Sequence, residues 1–454
     1  MTGFGPTAAG VAILAALFLG VAVWNGFPLI FYDTGAYVLE GLGHVFLVER
    51  APVYSELLFL TGGAFSLWLI VILQAVLAAY MILETARTEV PGLPLGGLVG
   101  IGLILTLLTG IDWYAGQVEP DIFTPLVILG AWLLLFRAHR LGRVRCRWVA
   151  GITALAVASH PSHLGLIAGL LICASLLRLA QYWMARLPRP DLGQGWRALA
   201  LSIGLIVLGN FVMTGSLFIS RSGSVFVFAR LMQDGLVQRL MDDTCPQSHN
   251  TAWRLCAYRG RLPYNANAWL WGEKSAFHAL GGFSGKAQQE EYSRIIVETL
   301  KRYPWLHVKA AVHDSLLQFA QFKTGDGIEP QLSVLEGGFR AMIPSQMTAY
   351  LQARQQRGLL RFKTLNRIHE PVGAVAVLGL LLLLARAGIR RDWGRGALPA
   401  MILLGLIGNA VICGTFSNPH DRYQSRVIWL PVLVLALAVG RSRKPLQAVP
   451  DYGT

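Results

Sequence analysis

The chain has 454 residues, 54% of them hydrophobic and only 14% charged, with a mean hydropathy of +0.50. A soluble domain carries about 25% charged residues, so the composition excludes an ordinary soluble protein. The net charge of +14 does not indicate nucleic acid, because the arginines stand in short segments between apolar blocks, where cytoplasmic loops of membrane proteins carry them.

A helix crossing a bilayer needs about 20 mostly apolar residues, since lipid cannot satisfy a bare backbone. The sequence therefore predicts an all-α polytopic membrane protein of about ten transmembrane helices. They lie near 8–30, 57–83, 95–111, 121–136, 148–159, 164–181, 198–219, 371–386, 397–415 and 427–440. The first block has no basic residue ahead of it and is followed by Trp24, Phe27, Pro28 and Phe31, so it reads as a span and not a cleaved signal peptide. The pair of blocks around Ser159-His160-Pro161-Ser162-His163 can also be one broken helix.

Alternate loops sort by charge. One set runs from Arg137, Arg140, Arg143, Arg145 and Arg147 through Arg178 to Arg197, then Arg386 to Arg395, and ends in a tail with Arg441, Arg443 and Lys444. The opposite set holds Asp33, Glu40 and Glu49, then Asp112, Glu119 and Asp121, then the paired histidines, then Asp421. The positive-inside rule makes the first set cytoplasmic. Both termini are then inside, and the acidic loops face outward with a long segment over 221–370. Only the stretch with Glu84, Arg87 and Glu89 gives no vote. The chain divides into an N-terminal transmembrane bundle over 1–220, the extracytoplasmic segment over 221–370, and C-terminal helices with a basic tail over 371–454.

The long segment is rich in tryptophan, which disordered tails lack. An amphipathic helix is predicted from Gly285 to Arg302, with Tyr292, Ile295, Ile296, Thr299 and Leu300 at helical spacing. Pro304 ends it. A second helix, Trp305 to Phe322, can lie in the membrane interface or insert as a hairpin arm. Cys245 and Cys256 alone share this region, and a disulfide between them suits an oxidising compartment; two free thiols are the alternative.

Four polar clusters face the outer side. Asp33, at the mouth of the first span, is a candidate general base on a hydroxyl or else a helix cap. Glu119 and Asp121 can hold a divalent cation, bind an acceptor or share a proton, unless Asp121 only caps the next span. His160 and His163 can contact phosphate or metal, or sit solvated in an interface turn. Arg422 and Arg426, one helical turn apart, can jointly grip a phosphate or anchor the interface with Tyr423 and Trp429. No phosphate-binding P-loop, zinc-protease HExxH or hydrolase GxSxG pattern occurs.

The stretch Tyr32-Asp33-Thr34-Gly35-Ala36-Tyr37 after the first span, followed by Glu49-Arg50-Ala51-Pro52-Val53-Tyr54-Ser55 at the second, resembles the GT-C-fold glycosyltransferases. That family includes protein O-mannosyltransferases and the aminoarabinose transferase of lipid A. The run Ile295 to Phe319, with Arg302-Tyr303-Pro304 between two helices, is also similar, and Arg422-Tyr423 is a weaker echo. The resemblance implies an enzyme of the cytoplasmic membrane that takes sugar from a polyprenyl-phosphate donor and passes it, outside, to a lipid, glycan or protein acceptor. It implies Asp33 as the base, and Arg50, His160, His163 or Arg422 as groups neutralising the leaving phosphate. A divalent metal is possible within the family. The chain departs from it in lacking an acidic neighbour to Asp33 and a soluble domain after the last span.

Two other readings compete. A transporter or flippase of lipid-linked glycans predicts charged residues deep in spans, where this chain has the uncharged Gln74, Asn210 and Asn409. An O-antigen-type ligase or polymerase centres its chemistry on the long segment, around Arg254, Arg259, Arg261 and His278.

Overall fold

A computed structural model describes residues 4–245 and 253–442. The predicted tail residues Arg443 and Lys444, and most of the loop between Cys245 and Cys256, lie outside the described residues. Among those described the protein is all-helical, apart from one isolated parallel bridge between Leu29 and Gln117.

Among the described residues six helices are long and apolar enough to cross a membrane: Trp68–Glu89, Pro161–Ala180, Leu192–Thr214, Phe362–Ile389, Trp393–Phe416 and Asp421–Arg441. Three shorter apolar helices, Thr7–Phe18, Leu95–Leu108 and Pro120–Phe136, fall where the sequence places further spans. The 14-residue helix Leu95–Leu108 reaches only about 21 Å, against the ~30 Å of a hydrocarbon core. The block expected at 148–159 is the second half of Ala138–Ala158, whose arginine-bearing first half turns at Gly142.

The expected span 8–30 stops early, and this stop shapes the site. Gly26 takes φ +86°, and its N–H closes on the carbonyls of Ala22 and Val23. The chain then runs beside residues 116–118. The Leu29 amide donates to the Gly116 carbonyl at 2.9 Å, and the Leu29 carbonyl accepts from Val118 at 2.9 Å. Buried Gln355 clamps the same segment, accepting from the Ile30 amide at 2.9 Å and donating to the Ile30 carbonyl at 2.6 Å. Such pairing satisfies backbone that no helix serves. The expected span 57–83 is likewise two helices, Pro52–Leu60 and Trp68–Glu89, separated by a turn with Gly62 at φ +84°.

Trp68–Glu89 runs past its expected end, which explains the stretch that gave no topological vote. Glu84 and Glu89 are fully buried carboxylates at the end of the bundle remote from Asp33. Glu89 pairs with Arg137 at 2.7 Å and with Arg441, and Glu84 pairs with Arg145 at 3.3 Å and Arg87 at 3.6 Å. These acids neutralise the very arginines that mark the basic loops.

The 221–370 stretch divides between two cores. Residues from Gly223 to Tyr303 enclose their own, built on Phe228, Trp269, Phe277, Tyr292 and Ile295, with a Cys245–Cys256 disulfide at its edge. The amphipathic helix runs Lys286–Arg302, with Tyr292, Ile295 and Thr299 buried and Leu300 exposed. Helix Pro304–Ala320 lies against Trp393–Phe416, so closely that a Cβ on Gly414 would stand 2.6 Å from the Asp314 carbonyl. Beyond it, Leu335, Phe339, Ile343 and Tyr350 enter the core of the main bundle.

Replacing Glu89 with Ala leaves Arg137 and Arg441 without their counter-charge. Breaking a fully buried pair costs about 3–5 kcal/mol. Here the arginine side chains keep 16% and 26% of their exposure, so roughly 2 kcal/mol is expected. It would be read as a fall of several degrees in the melting temperature of the purified protein. An unchanged melting temperature would show that solvent supports both arginines.

Candidate active site

The end of the bundle that carries Asp33 encloses a cavity of about 1070 Å³. Its floor comes from the turns between helices, and Arg422 is the central side chain there. The guanidinium lies 3.9 Å from the centre of the Phe31 ring and 5.1 Å from that of Tyr423. Its Nε is 3.4 Å from Asp121, and Nη1 is 3.7 Å from Glu119 and 3.9 Å from Asp33. Arg50 closes the other side, donating to Asp33 Oδ1 at 2.6 Å.

Asp33 stands here because of its neighbours. The Thr34 hydroxyl donates to the Val118 carbonyl at 2.9 Å and accepts from the Phe31 amide at 2.9 Å, fixing the start of helix Thr34–Gly43 against the 116–121 turn. The Asp33 side chain makes no capping bond to that helix. It is held toward Arg50 instead. Asp121 makes no cap either, since its oxygens face Arg426 at 2.7 Å and Arg422.

Burial pushes Glu119 well above the usual carboxylate range, and the nearby charge of Asp33 adds to the shift, with Arg422 opposing. Arg50, Arg422 and Arg426 meet Asp33, Glu119 and Asp121 in one cluster. Arg50 Nε and Arg422 Nη1 are buried donors with no hydrogen-bond partner, which is the state of a site built to receive an anion.

The paired residues of the sequence have separate fates. His160 lines the cavity, its Nδ1 accepting from the Ser162 amide at 3.3 Å. Burial, then the neighbouring His163 and Arg426, hold it well below the usual imidazole range, so it is neutral. His163 is fully buried, with one ring nitrogen on the Thr124 hydroxyl at 2.6 Å and the other on the Ala156 carbonyl at 2.7 Å. It joins three helices and has no nitrogen left for a ligand. Arg426 is also fully buried, bonded to Asp121 and Asn409, and is not among the cavity-lining residues. Arg422 and Arg426, expected to grip a phosphate jointly, therefore do not share the cavity, and it is Arg50 that lines it beside Arg422.

Arg230 and Asp326, which also line the cavity, were not among the sequence candidates. Arg230 bonds Asp234 at 2.6 Å, Asp314 and Asn418, and so ties the 223–303 unit to the bundle. Asp326 lies in Thr324-Gly325-Asp326-Gly327, where Gly325 has φ +103° and Gly327 φ +76°. A Cβ on Gly327 would stand 1.8 Å from the Phe31 ring. Glycine on both sides of a single acid was the available signal.

Among the described residues no cluster of three or more His, Cys, Asp or Glu is placed to hold a metal ion. The Glu119 and Asp121 carboxylates face guanidinium groups instead. Walls of the cavity rise from Gly165 on helix Pro161–Ala180 and from Ile412 and Phe416 on Trp393–Phe416, and Phe226, Leu270 and Trp271 roof it. The chain matches no family model, no characterised protein and no solved structure, so the chemistry is read from these side chains alone.

Glu40 positions the loop that delivers Arg50, accepting from the Leu47 amide at 3.1 Å and the Ser55 hydroxyl at 2.6 Å. Burial pushes its carboxyl from 4.5 up to about 7. The folded state then binds an extra proton between those values, so its contribution to stability falls as pH rises through that window and is level above it. Glu40→Gln cannot ionise. Its melting temperature, relative to the native protein, should therefore rise from pH 4.5 to pH 7; a constant difference would refute the buried titration.

Proposed function

We propose that the protein is a GT-C-type membrane glycosyltransferase, moving a sugar from a polyprenyl-phosphate donor to an acceptor at the outer face of the cytoplasmic membrane. In this reading the chain crosses about ten times, counting the shorter apolar helices. Both termini are cytoplasmic, and residues 221–370 are extracytoplasmic. The observation that carries the proposal is the placing of Arg50 and Arg422 on the floor of a cavity walled by membrane-length helices. The apolar residues beside it, among them Ile412, Phe416 and Phe226, suit the chain of a lipid phosphate.

In the reaction the acceptor hydroxyl oxygen attacks the anomeric carbon and the carbon–oxygen bond to phosphate breaks. The electron pair leaves with the phosphate, whose developing charge Arg50 and Arg422 neutralise. One displacement inverts the anomeric centre. The resemblance gives Asp33 the proton of the hydroxyl. Metal dependence is left to the family, since Glu119 and Asp121 are occupied by arginine. The ligase reading has less support: Arg259 pairs with Asp242 and Arg261 with the Ala257 carbonyl, and neither lines the cavity.

The test is mass spectrometry of cell-envelope glycans from a deletion strain carrying the native gene, Asp33→Asn or Arg422→Lys. A sugar increment lost on deletion should return with the native gene and fall at least about 100-fold with either variant. Arg422→Lys keeps the charge but loses the fork that reaches several carboxylates at once. Full restoration by Asp33→Asn would remove Asp33 from the chemistry, and no gene-dependent increment would remove the transferase reading.

A further inference from the structure

Asp326, one of the carboxylates lining the cavity, bonds the backbone of Arg422 and not its guanidinium. Asp326 Oδ2 lies 3.6 Å from His420 Nδ1 and accepts from the Arg422 amide at 3.1 Å. His420 is fixed from a different element. Buried Gln318, on helix Pro304–Ala320, accepts from the His420 amide at 2.9 Å and donates to its carbonyl at 2.8 Å. The loop carrying Asp326 is wedged against aromatic rings, Gly325 against Phe362 and Gly327 against Phe31. Both partners are thus positioned by rigid neighbours, and the imidazole lines the cavity with a side chain 42% exposed.

Asp33 is differently placed. Arg50 is bonded to one of its oxygens and Arg422 approaches the other. Both of its oxygens therefore face a guanidinium, the arrangement of a positioning group. An imidazole oriented by a carboxylate is the usual solution for a base that works near neutrality.

We infer that His420, oriented by Asp326, takes the proton of the acceptor hydroxyl, and that Asp33 instead positions Arg50 and Arg422. This rests on the transferase reading above. The step balances: the hydroxyl proton passes to a ring nitrogen of His420 as its oxygen bonds the anomeric carbon, and the phosphate departs with the electron pair. Burial alone would raise Asp326, but the nearby His420 ring and the hydrogen bond from the Arg422 amide outweigh it and hold it below the usual carboxylate range. The other charged or titratable groups around His420 are Asp421, Arg422 and Tyr423 on its own turn and Lys323, whose amide bonds Asp421.

The experiment has two arms. Cells carrying His420→Gln should lose the sugar increment by about 100-fold, and Asp326→Asn by about 10-fold, with normal amounts of protein in the membrane. A native-level increment with His420→Gln overturns the assignment and leaves the transferase reading intact. A gene that controls no increment overturns both. In the second arm, diethyl pyrocarbonate, which acylates neutral imidazole, labels the purified full-length protein across a pH series, and peptide mass spectrometry follows His420. Asp326→Asn should slow the labelling of His420 several-fold at the alkaline end of the series, because the ring loses the carboxylate beside its Nδ1. An unchanged labelling rate overturns the pairing, whatever the activity of the variant.

Discussion

Arg422 keeps only 7% of its side-chain exposure, and removing a guanidinium from water costs several kcal/mol unless carboxylates and hydrogen bonds replace the solvent. No single segment supplies those replacements. Asp33 comes from the turn after the first helix and Glu119 and Asp121 from the turn before Pro120–Phe136, while Asp326, from the loop after Pro304–Ala320, holds the Arg422 backbone amide. The break at Gly26 and the Leu29–Gln117 bridge bring the first two into register. Phe31 adds an aromatic face, where a weakly hydrated guanidinium is favoured over an ammonium. The charge and the backbone of one arginine therefore require these loops to meet, and the cavity floor is their meeting place.

The same rule operates at the far end of the bundle with a different outcome. Glu84 and Glu89 are paired with arginines, Arg137, Arg145 and Arg441 of the basic loops among them. At the Asp33 end, Arg50 Nε and Arg422 Nη1 are buried without a hydrogen bond, and both arginines line a cavity. Guanidinium nitrogens short of hydrogen bonds, set beside an apolar wall, are what distinguish a candidate binding site from a staple.

Much of this was legible in the sequence, for a reason rooted in lipid: polar residues between apolar blocks have few places to go. Asp33, Arg50, His160 and Arg422 all line one cavity, and their positions at the ends of predicted spans were sufficient to select them. Periodicity did not say which member of a pair points inward. His163 follows His160 by three residues at the start of a helix, and the first turn carries it into contact with Thr124. Arg426 follows Arg422 by one turn, yet the short helix Asp421–Ser425 ends between them and Arg426 enters the bundle toward Asn409. Asp326 and Arg230 escaped notice because the 221–370 stretch read as one outer segment, whereas residues beyond 304 pack with the bundle. Contacts such as Arg230 with Asn418, 188 residues apart, leave no trace in local pattern.

Arg422 also links the two carboxylates that flank the site. Its backbone amide is held by Asp326 and its side chain reaches Asp33, so displacement of the side chain acts on one while leaving the other in place. An anion arriving between Arg50 and Arg422 would compete with Asp33 for both guanidinium groups, and the carboxylate would lose its partners as the anion gained them. The exchange is nearly balanced in charge, which keeps the bound state from being a trap. A base free of that exchange serves the chemistry better than one caught in it. Asp326 and His420 stand one step outside the arginine cluster, fixed by Gln318 and by two glycines against aromatic rings, and their geometry is insulated from the arrival and departure of the phosphate.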